Sequence, residues 1–228
     1  MQQYFTEMNV HKGDIISLDE DVLYHLKKVL RKDSDYIFCI CDANHRIHYA
    51  HLVDQKSCEI LDETQEYNEL SCDLTCILSL IKNDHFEYCI QKLTELGVKR
   101  IVAYQADRSV VKIRDDKKLE RIRKIAKEAA EQSHRNLIPE ICSVTRLSDL
   151  ERYMSEVNYL CYESETQIRE IVPGRSVTFV IGPEGGLTDR EYESLCAMGF
   201  QSVSLGKRIL RAETAAIYMC SVIVSKCQ

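Results

Sequence analysis

The sequence predicts an α/β protein: a small, mostly β module over residues 1–70, followed by a parallel α/β domain over 71–228. Three observations support this. Short apolar segments such as "YIFCIC" and "RIHYAHLV" crowd the first seventy residues around one amphipathic stretch. After the polar run "DETQEYNELS" (62–71), continuous apolar runs alternate with helical periodicity. Continuous runs suit strands covered on both faces, and their alternation with helices suits a parallel sheet.

Within the first module, "DIISL" (14–18) reads as a strand. Residues 19–31 read as a helix, with Val22, Leu23, Leu26, Val29 and Leu30 on one stripe. Its first turn is acidic, which complements the positive end of the helix. Residues 36–41 and 46–53 are predicted strands joined by a hairpin turn at "ANH". The second domain opens with a strand at 74–81. A helix follows, with Asn83 as N-cap and Gly97 as its stop. A strand at 99–104 leads to a long helix over 115–135, whose apolar face carries Leu119, Ile122, Ala126, Ala129 and Ser133. Strands at 157–163, 177–182 and 202–206 complete the sheet. Thr188-x-x-Glu191 is a capping box for a helix ending near Gly199, and a last helix begins at Glu213.

Composition excludes several classes. No apolar run reaches the roughly 18 residues that cross a bilayer. "MQQYFTEMNV" lacks the basic and apolar regions of a secretion signal, so the chain is expected to stay in the cytoplasm. Eleven cysteines sit mostly within apolar runs and lack paired zinc-finger spacings, so they read as buried thiols and no metal is expected. The net charge is −6, but it is unevenly spread. Residues 1–70 carry 7 Lys+Arg against 14 Asp+Glu, whereas 99–127 carry 11 basic against 4 acidic residues. That basic stretch is either a solvated helix face or the footprint of a phosphate backbone.

In open parallel sheets, ligands bind at the carboxyl ends of the strands. Three marked loops leave such ends: Tyr162-Glu163, "GPEGG" (182–186) and "GKRILRAET" (206–214). Neither GxxxxGK[ST] nor GxGxxG occurs, and Glu184 would repel a phosphate, so a phosphate cradle is excluded. Gly185-Gly186 allows backbone to approach a flat ligand; the same residues also suit a type II turn with Pro183 at its second position. Lys207, Arg208 and Arg211 surround Ile209-Leu210, either as a ligand-covered loop or as a connection with apolar anchors. His134 and Arg135 could touch phosphate or merely close a helix, and Glu131-Gln132-Ser133 are polar on a core-facing side. His25, His45, His48 and His51 read as surface residues. No Ser/His/Asp or Cys/His arrangement supports covalent catalysis.

"QKLTELGVKRIV" with "RSVVK" (91–112), "RIRKIAKEAAEQSHRNLIPEI" (121–141), "FVIGPEGGLTDREYE" (179–193) and "LGKRILRAETAA" (205–216) occur in this order. Together with "HLKKVLR" (25–31), they resemble the small-subunit ribosomal RNA uridine-N3 methyltransferases of the SPOUT superfamily, which act on uridine 1498 of 16S RNA. The resemblance covers almost the full chain. It implies a PUA-like β domain that binds RNA, a methyltransferase domain with a C-terminal trefoil knot, a homodimer, and S-adenosylmethionine as cofactor. By position, the cofactor would lie on Leu160, Tyr162 and Glu163, on Ile181, Gly182, Gly185 and Gly186, and on Leu205, Gly206, Lys207, Arg208, Ile209 and Leu210. In that setting the glycines would make room for a nucleoside. Arg211 would stabilise charge on the uracil oxygens and Glu213 would act as base. Arg31, Arg108, Lys112, Gln132, Ser133 and Arg135 would hold RNA, with Arg208 assisting. The first module departs from the family: "KDSDYIFCICDANHRIHYA" lacks the usual glycines, and the module is acidic. A ribose 2′-O-methyltransferase and a non-catalytic RNA-binding protein on the same fold are the alternatives.

Overall fold

The computed structural model describes residues 1–33, 36–112, 116–166 and 170–227. By contact, the chain divides into two compact units. One comprises 1–69 with 131–137, the other 70–130 with 138–228.

The first unit is a five-stranded sheet in the order β1-β3-β4-β5-β2, from β1 (Gln3–Phe5), β2 (Ile15–Ser17), β3 (Ile37–Cys41), β4 (Ile47–Leu52) and β5 (Ser57–Glu63). β1 runs parallel to β3 and the other pairings are antiparallel. Its core gathers Tyr4, Ile16, Val22, Leu26, Phe38, Ile40, Leu52 and Ile60. β1 and β5 have no clear sequence signal. β1 is only three residues long, and β5 ends in the acids that read as linker.

The helix expected over 19–31 is α1 (Glu20–Tyr24) followed by one wider turn, His25–Val29, in which the Leu30 N–H reaches the His25 carbonyl. It closes at Arg31 in the left-handed region, φ 54°, and the Lys32 N–H returns to the Leu26 carbonyl. In the β3–β4 hairpin, Asp42 Oδ1 accepts the N–H groups of Asn44 and Arg46, which lets His45 adopt φ 64°.

The second unit is a six-stranded, all-parallel sheet. Its strands are β6 (Asp73–Ser79), β7 (Arg100–Tyr104), β8 (Glu140–Thr145), β9 (Val157–Cys161), β10 (Ser176–Ile181) and β11 (Gln201–Val203), in the order β11-β9-β10-β6-β7-β8. The helices are α2 (Asn83–Glu95), α3 (Asp116–Gln132), α4 (Asp189–Met198) and α5 (Ala212–Val224). Glu131 and Gln132, at the end of α3, group with the first unit. α2 has Lys82 at its N-cap position, one residue before the expected cap, and α3 stops short of 135. β8 and the 3-10 helix Leu147–Tyr153 lacked a clear sequence pattern.

The continuous apolar runs are explained by two cores, one on each face of the sheet. Leu74, Cys76, Leu78, Val177, Phe179 and Ile181 face the core that holds α2 and α5. Ile77, Val102, Leu160 and Val180 face the core that holds Leu195 of α4. Alternate residues thus enter opposite cores. All eleven cysteines are free thiols and ten are buried. Burial raises Cys41, Cys58 and Cys89 to about 12, as expected for inert packing thiols.

Candidate active site at the carboxyl ends of the strands

Sheet register brings the three marked loops to one level. Cys161 pairs with Val203 on one side and with Ile181 on the other, and Ile181 pairs with Leu78. The chain after β9, β10 and β11 therefore leaves the sheet side by side, next to the short connection between β6 and α2.

The glycine loop is held entirely by protein neighbours. The Gly186 N–H donates to the Pro183 carbonyl at 2.9 Å, with Gly186 at φ 70°. Pro183 thus stands first in the turn, and the type II turn with Pro183 second is not formed. Glu184 Oε1 accepts the Lys82 N–H at 3.0 Å, placing its negative charge at the positive end of α2. Arg108 Nη1 donates to the carbonyls of Gly185 and Leu187 at 3.1 and 3.3 Å. A Cβ at Gly182 would meet Leu187 at 3.2 Å, one at Gly185 would meet Arg108 at 3.4 Å, and one at Gly186 would overlap the Glu163 carboxylate. Each glycine already accommodates a side chain of this protein, where the resemblance implies room for a nucleoside.

The loops on either side contribute different chemistry. Tyr162 donates its N–H to the Val203 carbonyl and stacks on Tyr192, with centroids 4.3 Å apart. Glu163 is exposed beside Gly186. In the third loop Gly206 takes φ 106°, and Lys207 and Arg208 are exposed. Ile209 is 89% exposed, while Leu205 and Leu210 are half-buried. Arg211 is the N-cap residue of α5, with its carbonyl bonded to the Ala215 N–H and its side chain exposed. Glu213 lies in the first turn of α5 with only 14% of its side chain exposed, and its Oε1 is 2.9 Å from His85 Nδ1 on α2. His85 gave no sequence signal, because its partner is far along the chain.

Behind the glycine loop sits Glu191, fully buried. Its carboxylate accepts the N–H groups of Thr188 and Asp107 at 2.8 and 2.9 Å, together with the hydroxyls of Tyr104 and Thr188. Burial by itself pushes this acid up, but the four donors outweigh it and hold its pKa below the usual carboxylate value. Tyr104 is pushed up by burial and by Glu191.

Several expected site residues take other roles. Leu160 and Ile181 are core side chains on opposite faces of the sheet, so they can offer a ligand only main-chain atoms. Arg135 is 2% exposed, with its guanidinium on the Glu69 carboxylate, which also accepts the N–H groups of Asn136 and Leu137. That pairing makes Arg135 a structural residue of the first unit and turns it away from phosphate. Arg31, Arg108, Lys112 and Gln132 are exposed and Ser133 is half-buried; Arg31, Gln132 and Ser133 belong to the first unit, Arg108 and Lys112 to the second. On the basic stretch, Arg121 makes a two-pronged pair with Glu87 of α2. Among the described residues, no group of three or more His, Cys, Asp or Glu is placed to hold a metal ion, and no helix is long and apolar enough to cross a membrane.

Loops converging on the carboxyl ends of parallel strands, with exposed cations beside them, mark a ligand-binding α/β domain, and the RNA methyltransferase domain family matches residues 68–224. Ribosomal RNA small subunit methyltransferase E of Bacillus subtilis is 37% identical, with 98% of this chain and 96% of that protein covered. The enzyme of the same name from Mesomycoplasma hyopneumoniae is 32% identical over 96% of this chain and 97% of that protein. The crystal structure of the Neisseria gonorrhoeae enzyme of that name, bound to S-adenosyl methionine, superposes with a TM-score of 0.91 at 28% identity, covering 99% of this chain and 97% of that one. The chain belongs to the ribosomal RNA small subunit methyltransferase E family.

Proposed function

We propose that this protein transfers a methyl group from S-adenosylmethionine to N3 of a uridine in small-subunit ribosomal RNA, uridine 1498 of 16S RNA in the family's numbering. The observation that carries this reading is the shared register of Cys161, Ile181 and Val203, which sets three ligand-marked loops together in a chain whose relatives are named ribosomal RNA small subunit methyltransferase E. The residues present fit an adenosyl sulfonium. Glu163 offers a carboxylate for ribose hydroxyls, and Ile209 and Leu210 offer apolar cover for a base. The Gly206 turn is open: a Cβ there meets nothing within 4 Å. No lysine is needed on the glycine loop, because this cofactor has no phosphate.

When bound, the cofactor supplies a methyl on a positively charged sulfur, whose C–S bond breaks as the N–C bond forms. Uridine N3 carries a proton that must leave, and its negative charge spreads to O2 and O4. Arg211, exposed at the start of α5, stabilises that charge. Glu213 takes the proton, and His85 at 2.9 Å holds the carboxylate in place. Arg108 and Lys112 bear on phosphates.

The finer architecture follows the same reading: a PUA-like first unit, a knotted methyltransferase domain, a homodimer, and action in the cytoplasm. Exposed Ile209, Tyr88 of α2 and Tyr218 of α5 support a self-association surface.

The test is methyl transfer to small ribosomal subunits purified from cells lacking the gene, with the product located by nuclease digestion and mass spectrometry. A methyl on N3 is expected. A methyl on ribose, or none, overturns the proposal. Arg211→Ala is expected to lower kcat by about 10²–10³ with cofactor affinity retained.

A further inference from the structure

We infer that the second unit carries a phosphate-binding groove, separate from the three cofactor loops, that takes a backbone phosphodiester of the RNA; this inference rests on the reading of RNA as substrate. The groove lies at the carboxyl ends of β7 and β8 and has a volume of about 580 Å³. Its walls come from the loop after β7, from the chain entering the 3-10 helix, and from α4.

Three exposed cations converge there from three different elements: Lys112, Arg146 and Arg190. One carboxylate opposes them. Asp107 lies 3.5 Å from Arg190 Nη2 and 3.4 Å from the Thr188 hydroxyl, so the groove keeps an excess of positive charge.

A second, independent observation points to a ligand. Ser109 lines the groove and is 8% exposed, yet its buried hydroxyl has no hydrogen-bond partner among the described residues. Such a group is costly to leave unmade, and rotation of the Ser109 side chain into the groove would let an anion's oxygen satisfy it. The neighbouring polar side chains are already engaged: the Tyr104 hydroxyl donates to Glu191, and the Gln105 amide donates to the Val111 carbonyl.

Chain order fixes which anion. Asp107, Arg108 and Ser109 are consecutive, and Arg108 bonds the glycine loop while its two neighbours line the groove. A strand held by its phosphate in the groove therefore passes beside the loop that carries the proposed chemistry. Arginine forks and a hydroxyl donor suit tetrahedral phosphate oxygens.

The full-length protein would be titrated with a short fluorescein-labelled oligouridylate at several salt concentrations. Arg146→Ala and Arg190→Ala are each expected to weaken binding by about tenfold. Each should also reduce the log–log salt slope by about 0.7, the value for one lost phosphate contact on a single strand. Ser109→Ala should weaken binding less, and Lys226→Ala not at all. Retained S-adenosylmethionine binding by calorimetry shows that the variants are folded.

Wild-type affinity and slope in both arginine variants would overturn the groove. So would a loss of affinity for inorganic phosphate alone, with RNA binding intact, since the site would then serve free phosphate. The two readings fail separately. A wild-type protein that transfers no methyl, with variants that still lose RNA, ends the methyltransferase reading and leaves the groove. Methyl transfer by the wild type, with RNA binding indifferent to both substitutions, ends the groove alone.

Discussion

Glu191 shows how much a single side chain can organise. It satisfies the start of α4, the end of β7 and the following loop at once, through four donors that keep it ionised. Because its pKa is lowered on folding, it stabilises the native state above the ordinary carboxylate value, 4.5, and that contribution is lost as pH falls through the lowered value. Urea unfolding followed from neutral to acid pH should show this loss in the wild type, and Glu191→Gln should flatten it. At neutral pH the substitution should cost about 1–3 kcal/mol, since each oxygen accepts one N–H and one hydroxyl, and the pair on one of them is left facing an amide nitrogen. Gly186→Ala is a second case. Its φ of 70° costs a side chain roughly 1 kcal/mol, whereas the Glu163 carboxylate can swing aside. A small fall in thermal midpoint is expected, with a larger loss of cofactor affinity as Glu163 is displaced. The capping box was legible in the sequence because Thr188 and Glu191 are three residues apart. Tyr104 and Asp107 were not, nor were the pairings Arg135–Glu69 and Glu213–His85, because no local pattern links residues so distant along the chain.

At the scale of elements, β10 carries the sheet. It lies between β9 and β6 and sends Phe179 into one core and Val180 into the other, both fully buried. Phe179→Ala should destabilise the protein by about 3–5 kcal/mol, measured by chemical unfolding, because a rigid parallel sheet closes a cavity poorly. In the second unit the strands legible in the sequence are mostly those buried on both faces, where a continuous apolar run of strand length stands out, whereas β2, β3 and β4 of the first unit are legible as short apolar segments. β5 and β8 are faint for a common reason: each breaks strict alternation with two adjacent apolar residues, Ile60-Leu61 and Ile141-Cys142, and each begins or ends in glutamate, so composition reads as loop. The turn at His25–Val29 was illegible too, since helical and wider turns bury the same stripe, and Leu26 is buried in either.

For the whole molecule, exposed apolar side chains on α2, α5 and the loop before it are consistent with self-association. Sedimentation at micromolar concentration should give a dimer, and charge placed at Tyr218 should shift it to monomer. The trefoil topology implied by resemblance has no compositional signature, because it depends on the path of the chain through space. Residues 131–137 have a practical consequence for recombination. They complete the first unit from far along the chain: Asn136 holds the His45 carbonyl, the Gln3 amide donates to the Arg135 carbonyl, and Glu69 faces the Arg135 guanidinium. A chimera that joins the N-terminal half of one relative to the C-terminal half of another at a single crossover would split these partners between parents. Only exchanges that carry residues 1–69 and 131–137 together from the same parent should yield well-folded hybrids.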